Sequence, residues 1–506
     1  MAQEREREAI AVARPPLPAF RLAKALGVLA IAASALSHEY GATINFAATN
    51  SLGVYPGVQG LVPWAMFAAG IVLIPKLFLY MRFSEVMPRA GSTYVWVSRS
   101  LSLPLGFVLN FLQWAGLTAA IGFIGFVFGT FLGQALIDAG FPAGRVLLTP
   151  LGHVVLGAVM IWGFYALHVA GVELYGRVVV ALAGLITVVA LLIIGYGFAT
   201  APATFVHLAA ARSGLTLAPP DHPAAPTFGA FVSVTFLFIA AYGGLNGAPA
   251  LGGEARDASR TVPRGLFLGW LSALVLYTAV AAALFHAVPW WATLGLIRGK
   301  ALGLATAPGL IGVIAPAAVA TILNFLVAII VAKTAIPQML VASRFIFACA
   351  EDRILPPTFL HTSRRKAPDR AVFLTAALAT LFLVQSALVG WAIGIAIRAL
   401  TVLVMEAVVA IGALNVMFNA RFLGVPWADR LRRGPWVVVL SILAIAVALV
   451  LLWGGAVVPH TPFLLQPIVQ SLIAAAVAAF IFVRARPRLA QAGMTLPHLA
   501  AELPLE

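Results

Sequence analysis

Three ionisable side chains lie deep inside long apolar stretches of this 506-residue chain. Lys333 is eleven residues, or about 16 Å of helix, from the next charged residue, Arg344. Glu39 follows Lys24 by fifteen residues, and Glu406 lies in the middle of another apolar run. A buried ion is unfavourable by several kcal/mol unless an opposite charge faces it. These residues therefore indicate buried ion pairs, or groups that take up and release a proton.

Three further ionisable residues lie in less isolated positions. Lys76 is six residues from Arg82, about 9 Å along a helix, so its ammonium is expected to reach the membrane interface in a structural role. Arg398 lies near one end of its apolar run and is expected at the interface, or as a gate there. His38 is expected to titrate near neutral pH or to fill a hydrogen bond beside a helix break.

The stretch 228–265 begins as an apolar run and loses helix quality halfway. Gly243, Gly244 and Gly247 occur within five positions, and each weakens a helix interior by about 1 kcal/mol relative to alanine. Backbone groups freed inside hydrocarbon have no water to pair with, so such a break must be packed in protein or line a cavity. A break of this kind is typical of a transporter binding site. Close helix packing is the alternative role for these glycines and for Gly41.

The composition identifies a membrane protein, with 62% hydrophobic residues, 10% charged residues and a mean hydropathy of +1.01. The net charge of +15 is attributed to basic loops on one side of the membrane and not to nucleic acid binding. The single cysteine, Cys349, excludes an intramolecular disulfide and a cysteine metal cluster. No motif for nucleotide binding, metal binding or covalent catalysis occurs, so neither a cofactor nor an enzyme is predicted.

Apolar runs of about 20 residues predict twelve membrane-spanning helices. They lie near 24–50, 57–82, 97–135, 150–170, 174–200, 228–250, 265–288, 311–345, 371–390, 393–419, 435–456 and 462–483. This topology puts twenty-five Lys and Arg on one side and four on the other, which predicts that both termini are cytoplasmic.

Breaks in spans one and six, five spans apart, favour two inverted five-helix repeats followed by two more helices. The predicted parts are a cytoplasmic segment 1–22, a first repeat 23–200, an external loop 201–227, a second repeat 228–420, helices 11 and 12 in 421–484, and a cytoplasmic tail 485–506.

Four segments resemble the amino acid–polyamine–organocation (APC) transporters. After the break, Glu254, Pro263 and Arg264 resemble the family pattern, which is roughly E-x-x-x-P-x-x-x-P-[RK], with Ala258 in place of the first proline and one more residue before Pro263. The segments 85–94, 343–356 and 419–435 resemble the family's inner loops after spans two, eight and ten.

The resemblance implies an all-helical integral membrane protein with the LeuT-like arrangement of two five-helix repeats plus two helices. It implies a permease for amino acids or related amines that works by alternating access, as a symporter or an exchanger. The expected location is a bacterial-type inner (plasma) membrane. The expected partners are the small-molecule substrate and the lipid bilayer, with no nucleic acid, and the protein is a monomer or a homodimer.

In the family, N–H groups at the two breaks hold the substrate carboxylate, and carbonyls and an aromatic side chain of span six hold its amine. The residues so implied are Gly41, Ala42 and Thr43 in span one and Tyr242, Gly243 and Gly244 in span six. Thr43 replaces the last glycine of the family pattern, and the bulky pair His38 and Glu39 precedes it. Glu39 thereby becomes a candidate counter-charge for a cationic amine.

Lys333 lies within about one turn of the position that supplies cation ligands in sodium-coupled relatives. The hypothesis is that its ammonium replaces that cation, pairs with Glu39 and couples transport to protons. Proton-coupled relatives use a lysine in span five, where this chain has the uncharged stretch 184–189. The alternative is a static bridge from Lys333 to Glu39 or Glu406. The coupling and gating candidates are therefore Lys333, Glu39, His38 and Glu406.

Other functions stay open at this point. One is a sodium-coupled or facilitative carrier of another organic cation or carboxylate. A transporter with two six-span halves is less consistent with the break in the sixth span. A membrane-embedded enzyme would need a catalytic cluster, and a channel would need a filter-like repeat; the sequence shows neither.

Overall fold

A computed structural model describes residues 24–37, 40–89, 91–170, 172–221, 225–301, 303–365 and 367–491. Within these ranges the regular structure is helical, apart from one isolated parallel bridge between Leu26 and Ala255. His38 and Glu39 lie outside the described residues.

The first ten α-helices precede span six, which contains the second break. They are α1 (Val28–Ser37), α2 (Ala48–Val54), α3 (Val62–Ile71), α4 (Ile74–Val86), α5 (Thr93–Ser100), α6 (Leu103–Asp138), α7 (Gly144–Leu147), α8 (Pro150–Val169), α9 (Val172–Ala199) and α10 (Pro202–Ser213).

Eleven α-helices follow. They are α11 (Phe228–Ile239), α12 (Gly244–Gly247), α13 (Ala258–Ala287), α14 (Trp290–Arg298), α15 (Ala307–Ile314), α16 (Ala317–Glu351), α17 (Asp369–Leu388), α18 (Ala392–Phe418), α19 (Pro426–Arg432), α20 (Trp436–Gly455) and α21 (Pro467–Gln491).

Ten helical stretches in the described part of the chain are long and apolar enough to cross a membrane. They are Pro56–Val86, Leu103–Asp138, Pro150–Val169, Val180–Ala199, Ala258–Ala287, Ala317–Glu351, Asp369–Leu388, Ala392–Phe418, Trp436–Gly455 and Pro467–Ala490. The bent pair Phe228–Tyr242 and Gly244–Glu254, with 42° between its halves, adds an eleventh candidate. The first of the twelve predicted spans, 24–50, contains two residues outside the description. The helical membrane architecture is thus confirmed, and the number twelve stays a prediction.

The two longest helices, α6 and α16, pack along each other in the centre of the bundle. Near one end, the Asn324 side chain donates to an Asp138 carboxylate oxygen at 2.9 Å. Near the other end, the Asn110 side chain donates to the carbonyl of Phe345, also at 2.9 Å. Asn324 and Asn110 thus join α6 to α16 near both ends of the pair.

Both predicted breaks are present as distortions of buried helices. Residues 43–47 form a short π-helix before α2, and 3-10 turns at 240–242 and 248–254 flank the four-residue α12. A Cβ atom on Gly244 would lie 2.0 Å from the carbonyl oxygen of Ala35, and one on Gly41 would lie 2.6 Å from Cγ2 of Thr334. Both glycines therefore serve close helix packing, as the alternative interpretation predicted.

Arginines gather at one end of the bundle, which we call the basic end. It is defined by Arg82, Arg99, Arg264, Arg344 and Arg430. The carbonyl of Arg430 accepts a hydrogen bond from Arg82, and Glu254, near the start of α13, binds Arg344 of α16. The segments that meet there come from both halves of the chain.

The packing of Gly244 against α1 predicts a loss of stability on substitution. Gly244→Ala should lower the free energy of unfolding by about 1–3 kcal/mol, because its Cβ would overlap main-chain atoms that cannot move away easily. Gly184→Ala in α9 is the matched control, since nothing lies within 4 Å of its Cβ position. Thermal unfolding in detergent measures both, and equal midpoints for the two variants would contradict the packing interpretation.

Candidate functional site

The first-span half of the candidate site is a buried segment that contains the short π-helix 43–47. The main-chain N–H and the side-chain amide of Asn45 both donate to the carbonyl of Gly41, each at 3.0 Å. Ala42 and Thr43 are 3% and 1% exposed. The helix that begins here directs its first N–H groups toward the break, which is the polarity that favours an anion.

Tyr242 belongs to a row of three tyrosines that joins spans one, six and seven. Its ring lies 5.6 Å from that of Tyr277, whose ring lies 5.5 Å from that of Tyr40. The Tyr242 hydroxyl donates to the carbonyl of Met66 at 3.2 Å, and the Tyr277 hydroxyl donates to that of Leu36 at 2.6 Å. The row gives the region of the break a mainly aromatic surface, with two of its three hydroxyls bound to backbone carbonyls.

At the break in span six, the carbonyl of Gly243 accepts hydrogen bonds from several donors inside the protein. It accepts from the N–H groups of Asn246 at 3.0 Å and Gly247 at 3.2 Å, and from the Arg398 guanidinium at 3.3 Å. Arg398 is 1% exposed, so its expected place at the interface is wrong. At the start of α18, Trp391 packs edge-to-face against Phe46, with 5.2 Å between the ring centres.

A buried ion pair joins α4 to α18. The Lys76 ammonium lies 3.6 Å from a carboxylate oxygen of Glu406, and the two side chains are 0% and 1% exposed. The ammonium also lies 5.3 Å from the ring centre of Tyr80, whose hydroxyl is 3.5 Å from the Asn246 amide. The expectation that Lys76 reaches the interface is therefore wrong, and the ion pair of Glu406 is with Lys76 and not with Lys333.

Lys333 lies where the eighth span contacts the first. It is 2% exposed on α16, beside Ile330, Val331 and Thr334, the residues that enclose Gly41. Its proposed partners, His38 and Glu39, lie outside the described residues. The turn of α16 next to Lys333 thus contacts the first-span break, and the role of Lys333 in coupling stays a prediction.

The charged residues of α18 divide the site into two levels. Glu406 follows Arg398 by eight residues, which is about 12 Å along the helix. Arg398 contacts the break, and the Lys76–Glu406 pair lies farther along α18 toward the basic end.

The basic end is closed by contacts of main chain and side chains. The N–H groups of Ala25 and Leu26 both donate to the carbonyl of Glu254 at 2.9 Å, and the Arg256 N–H donates to the carbonyl of Leu26 at 2.9 Å. The carboxylate of Glu254 accepts a hydrogen bond from Arg344. The segment before span one, the segment after span six and the end of span eight are therefore tied together.

A second contact at the basic end holds α5 against the end of α16. The Arg99 guanidinium binds both carboxylate oxygens of Asp352, at 2.7 and 3.0 Å, and the Tyr94 hydroxyl donates to the same carboxylate. Burial, together with the negative charge of Asp352, raises the pKa of Tyr94 well above its ordinary value, so the hydroxyl keeps its proton. Cys349 is 1% exposed one turn before Asp352.

Sequence reasoning placed two charged residues of the site incorrectly. Arg398 and Lys76 were recognised as charges in apolar runs, but position along a helix gives depth and not the face from which a side chain projects.

Gln113 of α6 is fully buried, and neither of its amide atoms has a hydrogen-bond partner among the described residues. The described residues contain no cluster of His, Cys, Asp or Glu that could hold a metal ion.

Comparison with known proteins gives two similarities. The sequence profile of the family described as amino acid permease matches residues 26–483. The branched-chain amino acid permease BcaP of Lactococcus lactis subsp. cremoris (strain MG1363) is 27% identical over 344 residues, which are 64% of this chain and 67% of the relative.

The buried Lys76–Glu406 pair predicts strong coupling between two substitutions. Lys76→Met and Glu406→Gln should each destabilise the protein by about 3 kcal/mol or more, because each removes one partner of a buried pair. The double variant Lys76→Met/Glu406→Gln should recover most of this loss, since no charge stays buried. Thermal unfolding measures all three.

The partly exposed pair Arg82–Glu85, at 2.7 Å, is the control, and Glu85→Gln should change stability by about 1 kcal/mol or less. Additive effects of the two single substitutions in the Lys76/Glu406 double variant would show that the pair contributes nothing as a unit.

The single cysteine provides a reporter of the basic end. In the closed arrangement Cys349 should react slowly with a maleimide, and Arg99→Gln should increase the rate at least about tenfold by releasing α5 from Asp352. Arg260→Gln, which removes an exposed partner of Asp257 at 3.8 Å, is the control. Equal labelling rates in the wild type and Arg99→Gln would contradict a closing role for this contact.

Proposed function

The chain belongs to the amino acid permease family of the APC superfamily, and we propose from this premise that it is a secondary active transporter that works by alternating access. Family membership implies a multi-pass membrane transporter of amino acids and not an enzyme. The observation that carries the proposed mechanism is the buried break at Gly243, where two half-helices meet Arg398 at mid-span.

The proposed architecture has twelve spans, as two inverted repeats of five helices followed by two helices. Ten long helices, the bent pair and the two half-helices on either side of His38 and Glu39 support it. The basic end is proposed to face the cytoplasm together with both termini, in a plasma membrane of bacterial type.

The proposed substrate is a zwitterionic amino acid with an aliphatic side chain. The Lactococcus relative is named as a branched-chain amino acid permease, which makes branched-chain amino acids the first to test. The N–H groups of Gly41, Ala42 and Thr43 would receive the carboxylate, because they begin a buried half-helix. The rings of Tyr242 and Tyr40 supply apolar surface for the side chain.

The amine is proposed to bind at span six, beside Tyr242, Gly243 and Gly244. In this conformation the Gly243 carbonyl already accepts three hydrogen bonds, one of them from Arg398. An ammonium can use that carbonyl only when the guanidinium moves aside. We therefore assign to Arg398 a gating role at the break itself, coupled to arrival of the amine.

Two buried lysines are proposed to take part in coupling. Lys333 adjoins the first-span break, where Glu39 and His38 are its proposed partners. Glu406 holds Lys76 between the break and the basic end, so a proton on the Glu406 carboxylate would release this ion pair. Either group can link proton uptake to opening, and transport driven by a pH gradient is the common expectation.

Uptake into proteoliposomes tests the substrate and the driving ion together. Labelled leucine, isoleucine and valine, with glycine, lysine, glutamate and ethanolamine for comparison, would each be offered under a pH gradient, a sodium gradient or with preloaded substrate. We expect saturable uptake of the branched-chain amino acids, stimulated several-fold by inward protons. A panel on which nothing saturates would overturn the substrate class, and stimulation by sodium alone would overturn proton coupling.

Lys333 variants test coupling separately from binding. Lys333→Met should abolish stimulation by the pH gradient and retain exchange of preloaded substrate, since it removes the titrating ammonium and leaves the break intact. Lys300→Met, in the loop after α14, is the control and should keep both activities. Gradient-driven uptake that is unchanged in Lys333→Met would leave Glu406 as the coupling group, which Glu406→Gln tests in the same assay.

A further inference from the structure

A basic cavity opens at the basic end between α4, the first turns of α13 and the segment around α19. Its volume is about 590 Å³. One carboxylate and five guanidinium groups line it, from Glu85 and from Arg82, Arg260, Arg264, Arg430 and Arg433. Because these arginines come from three separate parts of the chain, the fold itself concentrates the positive charge.

Three of the five arginines form no ion pair with a carboxylate of the described residues. Arg82 binds Glu85 at 2.7 Å, and Arg260 lies 3.8 Å from Asp257. Arg264, Arg430 and Arg433 are exposed, and no described carboxylate lies within ion-pair distance of them. Like charges gathered on a concave surface raise the local concentration of anions. The planar guanidinium group suits phosphate in particular, since it donates two parallel hydrogen bonds.

The surface beside the cavity is apolar on all three helices. Phe78 on α4, Leu268 on α13 and Trp436 on α20 are 38%, 47% and 43% exposed. Each lies three or four residues from a cavity arginine, on the side away from the basic end. A tryptophan at such a boundary is typical of the level of lipid headgroups. The combination of an anion site with adjoining apolar surface matches an amphiphile.

We propose that this cavity binds a phosphate-bearing anion, and that the adjoining apolar surface identifies the headgroup of a membrane phospholipid as its source. The phosphate lies among Arg264, Arg430 and Arg433, and the acyl chains lie along Phe78 and Leu268. Basic pockets between membrane helices are known sites for anionic headgroups. A bound lipid would hold α4, α13 and α19 together at the end that must open during transport.

The test titrates short-chain phosphatidylglycerol into the full-length protein in neutral detergent and measures heat by calorimetry. Short-chain phosphatidylcholine and inorganic phosphate are titrated in parallel. The cavity variant is R264Q/R430Q/R433Q. Its control is R484Q/R486Q/R488Q on α21, which removes the same number of exposed charges away from the cavity. Glu85→Gln removes the single carboxylate of the lining.

We expect phosphatidylglycerol to bind at least about tenfold more weakly to the cavity variant and within about twofold of wild type to the control. Glu85→Gln should strengthen binding, a gain that misfolding cannot produce. Phosphatidylcholine should bind weakly throughout. Inorganic phosphate binding as tightly as phosphatidylglycerol would overturn the lipid as the source and keep the anion site. Equal affinity in wild type and the cavity variant, or equal losses in the two triple variants, would overturn the site.

Discussion

A peptide group that loses its helix partner in the middle of a membrane protein must find another one inside the protein. At Gly243 this requirement is met by two N–H groups of the following turn and by the guanidinium of Arg398. The rest of the centre depends on that arrangement. A buried guanidinium has to be covered, and Trp391 with its aromatic neighbours covers the start of α18. The half-helices can then approach α1 closely because Gly244 carries no side chain.

The two levels of charge along α18 have different characters. Arg398 interacts with a backbone carbonyl, whose strength as an acceptor does not change with pH. Glu406 interacts with Lys76, and both of these groups are ionisable. In the proposed mechanism the first contact responds to the substrate amine and the second to protons, and both contacts lie on the same helix.

Sequence reasoning predicted most of the architecture because the features that specify it can be read from the order of residues along the chain. Apolar length predicts spanning helices, clustered glycines predict a break, and the motif from Glu254 to Arg264 predicted the family, which the profile over residues 26–483 confirms. The ion pairs depend on the direction in which each side chain projects, and a single helix does not fix this direction. Lys76 was thus expected to reach the interface although Glu406 holds it inside. The number of spans and the inverted repeat stay predictions.

The bridge between Leu26 and Ala255 has a consequence for how the protein tolerates change. Its hydrogen bonds run between main-chain atoms, so their existence does not depend on which side chains stand at these positions. A salt bridge such as Glu254–Arg344 is lost when either residue is replaced, whereas this bridge loses a donor only when proline is introduced at Ala25, Leu26 or Arg256. The closed state of the transporter thereby depends partly on main-chain hydrogen bonds that substitutions other than to proline leave intact.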